Sequence, residues 1–280
     1  MQQNFIKFAN EIPLDTRSVN LRNLILDALE GGERGHLGPA LSLLEIIRVL
    51  YDSVLSHDPK NSAFIDRDRF ILSKGHGCLG LYAVLCDHGY FSIEDLKSFC
   101  RFNSILGGHP EKGNAPGIEF STGSLGHGLS VGVGMAMAAR LRGEKWRTFI
   151  LLGDGELGEG AIWEGALHAA KHELGTLTVI IDLNRMQASG LVDTVVPLSP
   201  LIDKWKAFGF DVLEVNGHDI LEIEKCLNTP LNQFGKPRVV LAHTVKGKGF
   251  KSAENSTLWH HKAKITKNEI DLLRKELLSL

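Results

Sequence analysis

The chain has 280 residues, 43% of them hydrophobic, a formal net charge of −2 and a pI near 6.6. That length suits one large α/β domain or two small ones with a real core, and the charge balance offers no basic field for nucleic acid. No stretch approaches the ~20 apolar residues that span a membrane. The opening Met1-Gln2-Gln3-Asn4-Phe5-Ile6-Lys7 lacks the charged and apolar regions of a signal peptide, and Cys78, Cys86, Cys100 and Cys226 form no Cys-x-x-Cys pair, so a reduced cytoplasm without structural zinc is expected.

In chain order, Thr16 to Leu29 reads as an amphipathic helix that stops at Gly31-Gly32. Gly35 to Ala40 reads as a tight loop, and a second helix starts near Ser42 and runs to Leu50. Phe70-Ile71-Leu72-Ser73 is a short buried strand that empties into Lys74-Gly75-His76-Gly77, and a helix follows through Leu85. His76 then sits at a strand end and helix start, where a ring nitrogen can meet an anion. Ser92 caps the next helix, with Asp95 three residues on. Residues 103–120 are a long Gly/Pro-rich loop, a length that commonly carries function.

Ser121 to Gly128 leads into a helix rich in small residues, among them Gly132, Gly134, Ala136 and Ala139. The helix after Gly160 repeats the pattern with Gly165, Ala166, Ala169 and Ala170. Glycine in a helix interior costs about 1 kcal/mol against alanine, so another backbone approaches closely; an interface between subunits is expected. Gln187 to Pro200 reads as an extended connection. A helix over Leu201 to Phe208, a strand at Asp211 to Val215, a helix over Ile220 to Leu227, a strand at Pro237 to Thr244 and a closing helix from Lys267 to Leu278 complete the chain. Strands alternate with helices, which predicts one α/β domain with a doubly wound parallel sheet flanked by helices.

The chain is organised around Thr148 to Gly160, containing Gly153-Asp154-Gly155, and the run Val179-Ile180-Ile181-Asp182-Leu183-Asn184. Each is an apolar, β-branched run that breaks off at a polar turn, and parallel sheets bind ligands at such strand ends. Asp154 and Asn184 offer a carboxylate and an amide oxygen, hard donors suited to Mg²⁺. The same stretch spells Gly153-x-Gly155-x-x-Gly158, a dinucleotide fingerprint. Asp154 would then face a pyrophosphate with a bare carboxylate, which is repulsive unless a cation bridges them. Carboxylate plus metal is the better reading.

Gly153-Asp154-Gly155 with an Asn thirty residues on resembles the thiamine-diphosphate motif of the transketolase superfamily. The resemblance covers nearly the whole chain and implies that Asp154, Asn184 and the Met186 carbonyl hold the metal. Gly35-His36 resembles the loop whose His faces thiazolium and substrate. Ser73-Lys74-Gly75-His76-Gly77 resembles the family's Ser-x-Gly-His-Gly, whose His touches the diphosphate. Gly108-His109-Pro110-Glu111 is similar to the segment that meets the donor sugar. Thr122-Gly123-Ser124-Leu125-Gly126 resembles Thr-Gly-Pro-Leu-Gly, which binds the cofactor through backbone groups, with Ser124 in place of Pro. Val245-Lys246-Gly247-Lys248-Gly249 matches a family segment as well. Trp259-His260-His261 is similar to a segment whose His reaches substrate and diphosphate, with His261 where Gly is usual; His260 is chosen for the role. Glu159 and Glu164 match carboxylates near the family's interface between subunits.

The implied cofactor set is His36, His76, Gly123, Ser124, Leu125, Gly155, Glu156, Asn184 and His260, and the implied proton-handling set is His36, His109 and His260. The implied architecture is one diphosphate-binding module over 1–280 with a C-terminal extension from about 250. The family's pyrimidine-binding module, which supplies a glutamate to the cofactor, its third domain and most of its sugar-phosphate contacts have no counterpart. The resemblance therefore implies the N-terminal subunit of a split, Mg²⁺- and thiamine-diphosphate-dependent transketolase. It would act with a separate C-terminal subunit, in an α₂β₂ assembly, on sugar phosphates or related sugars. Other thiamine-diphosphate enzymes, a non-catalytic paralogue and an NAD(P)-dependent dehydrogenase are the alternatives.

Overall fold

The computed structural model describes residues 9–231 and 234–279. Five parallel strands form the sheet: β1 (Arg69–Leu72), β2 (Thr148–Gly153), β3 (Leu177–Leu183), β6 (Asp211–Asn216) and β7 (Arg238–His243), in spatial order β1-β2-β3-β7-β6. A small antiparallel hairpin, β4 (Met186–Gln187) with β5 (Gly190–Leu191), lies outside it. The chain steps outward from β1 to β3, skips a place to β6 at the edge and returns as β7. Register aligns Gly153 with Asp182 and Leu183 with His243, so the residues following β2, β3 and β7 emerge side by side.

The strands read as continuous apolar runs because both faces are covered. Phe149, Leu151, Ile180 and Val240 point to one layer, formed by α1 (Thr16–Gly32), α2 (Leu37–Ser42), α3 (Leu44–Val49), α4 (Cys78–Asp87), α5 (Ile93–Lys97), α10 (Ile220–Leu227) and α11 (Lys267–Leu278). Ile150, Leu152, Val179, Ile181 and Leu241 point to the other, with α6 (Gly128–Arg142), α7 (Gly160–Lys171) and α9 (Leu201–Ala207). Each fully buried Leu, Ile or Phe contributes about 1.5–3 kcal/mol, which makes the sheet a rigid platform for the turns beyond its strand ends. Among the described residues no helix is long and apolar enough to cross a membrane.

Several expectations hold closely: the Ser92–Asp95 capping box, the helix over Ile220–Leu227 and the closing helix over Lys267–Leu278. Others are corrected. The first helix does not stop at Gly31-Gly32 but runs through both, and Glu33 takes the left-handed cap at φ 55°. A Cβ at Gly31 would lie 1.8 Å from the Lys97 carbonyl oxygen, so that glycine serves the close crossing of α1 over α5. The tight loop expected at Gly35 to Ala40 is instead the start of α2, with His36 at its N-terminus; α3 follows, then a π-helical turn Leu50–Val54. The extended connection after Asn184 contains the hairpin and α8 (Val192–Val195). The small residues divide. A Cβ at Gly132 would run into Ile150, and one at Gly165 would press on Leu129 and Ser130 of α6, so both serve internal packing, whereas Gly134 and Gly160 face open space.

Candidate active site

Four of the five strands of the main sheet, all but β6, lead into turns that deliver polar side chains to one cavity of about 390 Å³ at the carboxyl end of the sheet. Lys74 and His76 follow β1, Asp154 and Gly155 follow β2, Asn184 and Met186 follow β3, and Lys246 follows β7. His36, at the start of α2, and His260, on the turn after Thr257–Trp259, line it as well. So do Gly123, Leu125 and Glu156; Ser124 and His109 do not.

The three expected metal donors meet there. Asp154 is 2% exposed, and no ion pair reaches it among the described residues. One of its carboxylate oxygens accepts the Gly155 N–H at 2.8 Å, the other the Arg185 N–H. Burial, and then the charge of Asp182, push its carboxyl up to about 7. Asn184 is held by its own neighbours: Nδ2 donates to Asp182 Oδ2 at 3.2 Å and Oδ1 accepts the Met186 N–H at 3.0 Å. The Met186 carbonyl accepts from Lys246 Nζ at 3.1 Å and keeps a second lone pair. A buried carboxylate in no direct ion pair, an amide oxygen and a carbonyl at one cavity fit a hard divalent cation. No group of three His, Cys, Asp or Glu among the described residues could hold a metal, and the donor set here uses one such residue.

Asp182 is the organising anion, a role that none of the motifs above assigns to it. It is fully buried in β3, and it accepts from Ser42 Oγ at 2.5 Å, from Asn184, and from Lys74 and Thr244. Burial works to raise its pKa, but the Lys74 charge and these donors hold it below the usual carboxylate value. One signal could have found it: a charged residue interrupts an otherwise apolar strand, and a buried charge implies a buried partner. Lys74 and Lys246 belong to the motifs above, and the structure gives both a place at the cavity. Both are 1% exposed, and burial, then Lys74, lower Lys246 to about 8.

The histidines form one cluster around His36. Ring centroids lie 5.7 Å from His76, 5.8 Å from His109, 6.0 Å from His260 and 4.5 Å from His261. His76 and His260 stack at 5.3 Å on the first cavity. His109 and His261 line a second cavity that shares His36. The two adjacent histidines thus face different spaces, with His260 beside Lys74 and Lys246. Lys246 Nζ donates to His260 Nδ1 at 2.7 Å, which places the ring proton on Nε2. Burial lowers His36 to about 4, helped by His261, and His260 to about 3, helped by Lys246; His76 and His109 are lowered too, burial first. All four are neutral at pH 7; His260, its Nδ1 taken by Lys246, presents the cavity with a donor, while a neutral imidazole such as His36 or His109 can accept a proton on one nitrogen and donate from the other.

Glu156 lines the cavity and also braces the turns around it. Its carboxylate accepts from Ser73 Oγ at 2.5 Å, the Gly126 N–H at 2.8 Å and the Gly153 N–H at 3.2 Å, tying β1, β2 and the loop before α6 together. Glu159 lines the cavity and is exposed. A Cβ at Gly155 would meet the Gln187 side chain, with its amide oxygen at 2.9 Å and its Cβ at 3.0 Å, so glycine lets the hairpin lie close against this turn.

The fold and this cavity define a parallel α/β domain with a polar binding site at its strand ends, where two lysines and stacked histidines stand beside a buried carboxylate. Residues 14–278 match the family described as "Transketolase, thiamine diphosphate binding domain", and the chain belongs to that family. It is 41% identical over 268 residues to the apulose-4-phosphate transketolase A-subunit of Actinobacillus succinogenes, covering 96% of each chain. It is 39% identical to "6-deoxy-6-sulfo-D-fructose transketolase subunit SqwG" of Clostridium sp., covering 91% of this chain and 93% of that one. Among solved structures, a transketolase from Pichia stipitis in complex with sedoheptulose-7-phosphate superposes with a TM-score of 0.86 at 32% identity. That match covers 93% of this chain and 40% of the solved chain.

Proposed function

We propose that this chain is the cofactor-binding subunit of a two-chain transketolase, which moves a two-carbon ketol unit from a ketose to an aldose. The carrying observation is Asp154, a buried carboxylate in no ion pair among the described residues, facing a cavity that Lys74, Lys246, His76 and His260 also line. Asp154, Asn184 and the Met186 carbonyl would hold Mg²⁺. Lys246, His76, His260 and the backbone around Gly123, Leu125 and Gly155 would hold the diphosphate of thiamine diphosphate. When bound, that cofactor supplies the carbanion chemistry.

The chain's own residues bind, orient and move protons. Asp182 fixes Lys74 and Asn184, and Lys246 fixes the tautomer of His260. His36 and His109, neutral at pH 7, take and return protons at the sugar's hydroxyl oxygens, and His260 assists by donating from Nε2. Residues 1–280 act as a single diphosphate-binding module, and the segment from about 250 supports the wall that carries His260 and His261.

The relatives named as A-subunits have about the length of this chain, and the solved transketolases are more than twice as long. The A-subunit names and these lengths support a separate partner that completes the site; the proposed assembly is a cytoplasmic α₂β₂. The relatives' names point to a sugar with an anionic tail, phosphate or sulfonate. The test is to purify the chain alone and with its neighbouring gene product, then assay ketol transfer. Activity is expected from the pair, and lost in Asp154→Ala. Full transfer by the lone chain would overturn the two-chain reading.

A further inference from the structure

The second cavity, of about 410 Å³, is not needed to hold the cofactor's diphosphate, and its chemistry differs from the first. Three imidazoles, His36, His109 and His261, line it together with the guanidinium side chains of Arg34 and Arg101 and the hydroxyl of Ser104. No carboxylate lines it, whereas Asp154, Glu156 and Glu159 line the first. Arg34 is exposed and takes part in no hydrogen bond or ion pair among the described residues. Arg101 holds a surface pair with Glu33 at 3.1 Å, both side chains more than half exposed, a contact that contributes little and can be exchanged.

We infer that this cavity is an oxyanion subsite for the substrate's tail, in which Arg34 and Arg101 read a terminal phosphate or sulfonate while His36 and His109 hold the reacting end. This rests on the reading of the site as a transketolase half. His36 is the common wall: a ketose with its carbonyl beside His36 on the cofactor side has the second cavity as its onward path. His261, with its ring 4.5 Å from His36, narrows that path and adds a polar contact where the family pattern has none. A planar guanidinium with free donors is suited to two oxygens of a tetrahedral anion. The subsite adds to the contacts that the partner supplies.

The experiment uses the assembled two-chain complex and the double variant Arg34→Gln/Arg101→Gln. Both positions are exposed, so the variant keeps its fold, which circular dichroism checks. Calorimetry measures binding of an aldose phosphate and of the same aldose without phosphate, with no cofactor present. Steady-state assays then compare kcat/KM for a phosphorylated, a sulfonated and an uncharged ketose. Charge-assisted contacts are worth about tenfold each. The variant is expected to bind the aldose phosphate about tenfold or more weakly and to lose the preference for charged over uncharged ketose by a similar factor. The larger loss, with phosphate or with sulfonate, identifies the natural tail. Unchanged affinity and unchanged preference would overturn the subsite. A complex that binds the sugar phosphate through these arginines yet transfers no ketol unit would instead count against the proposed function and leave the subsite standing.

Discussion

His218 Nε2 accepts the backbone N–H of Val245 at 2.9 Å, across 27 residues of sequence and in full burial. Its Nδ1 therefore carries the proton and donates to Glu45 at 2.8 Å. Glu45 also accepts from Arg22 at 2.6 Å, and Arg22 Nε donates to the Lys248 carbonyl at 3.0 Å. Burial works to raise the pKa of Glu45, but Arg22 and His218 hold it well below the carboxylate range. The triad thus grips both ends of the segment that presents Lys246.

Glu45→Gln is expected to destabilise the chain by about 3–5 kcal/mol, since it leaves the Arg22 charge buried without its partner. Urea unfolding measures that cost. The same variant is expected to weaken thiamine-diphosphate binding about tenfold by loosening Lys246. Lys246→Met is expected to weaken binding as much without the loss of stability. Equal urea midpoints for wild type and Glu45→Gln would show that the triad does not hold this segment.

Asp154 places function against stability. Burial and Asp182 raise its carboxyl to about 7, so the cofactor-free chain carries an anion whose burial costs a few kcal/mol, by ~1.4 kcal/mol per pKa unit. Asp154→Asn removes the charge and keeps one of the two accepted N–H bonds, from Gly155 or Arg185; the lost bond costs about 1–3 kcal/mol, less than the buried anion does. It is expected to raise the melting temperature of the cofactor-free chain and to abolish Mg²⁺-dependent cofactor binding. A lower melting temperature would show that the charge is already compensated by the protein.

The histidine cluster gives a pH signature. His36 and His260 fall to about 4 and about 3 in the folded chain, against 6.5 for an ordinary imidazole. The unfolded chain then takes up protons below pH 6.5 that the folded chain refuses, so these groups cost stability as pH falls from 6.5 towards 4 and nothing above it. The double variant His36→Asn/His260→Asn is expected to lose less stability than wild type between about pH 7 and pH 4.5. Parallel melting curves across that range would contradict the shifts.

Two glycines of one helix behave differently. Gly132→Ala puts a methyl 2.3 Å from Ile150 Cδ1 and is expected to destabilise by about 1–3 kcal/mol. Gly134→Ala meets nothing within 4 Å and is expected to stabilise the isolated chain by about 1 kcal/mol. If Gly134 faces the partner, the same variant weakens assembly, which sedimentation measures.

The fold was legible because its strands are apolar runs broken by turns, and because Asp154, Asn184 and His76 sit where such runs end. What pattern could not supply was side-chain company. Asp182 lies inside a strand that reads as core, and its partners Ser42, Lys74 and Thr244 are up to 140 residues away in sequence. The Glu45–His218 pair spans 173 residues. Gly31 resembles a helix stop locally, and only the crossing of α5 shows that it is a packing site. The division of labour between His260 and His261 likewise depends on which cavity each ring faces.

The most direct measurement is a crystal of the two-chain complex grown with thiamine diphosphate and Mn²⁺ in place of Mg²⁺, with anomalous data collected at the manganese edge. One strong peak is expected about 2.0–2.3 Å from an Asp154 carboxylate oxygen, Asn184 Oδ1 and the Met186 carbonyl oxygen. Cofactor density with the anomalous peak elsewhere, or with Asp154 and Asn184 turned from it, would contradict the proposed metal site and the function built on it.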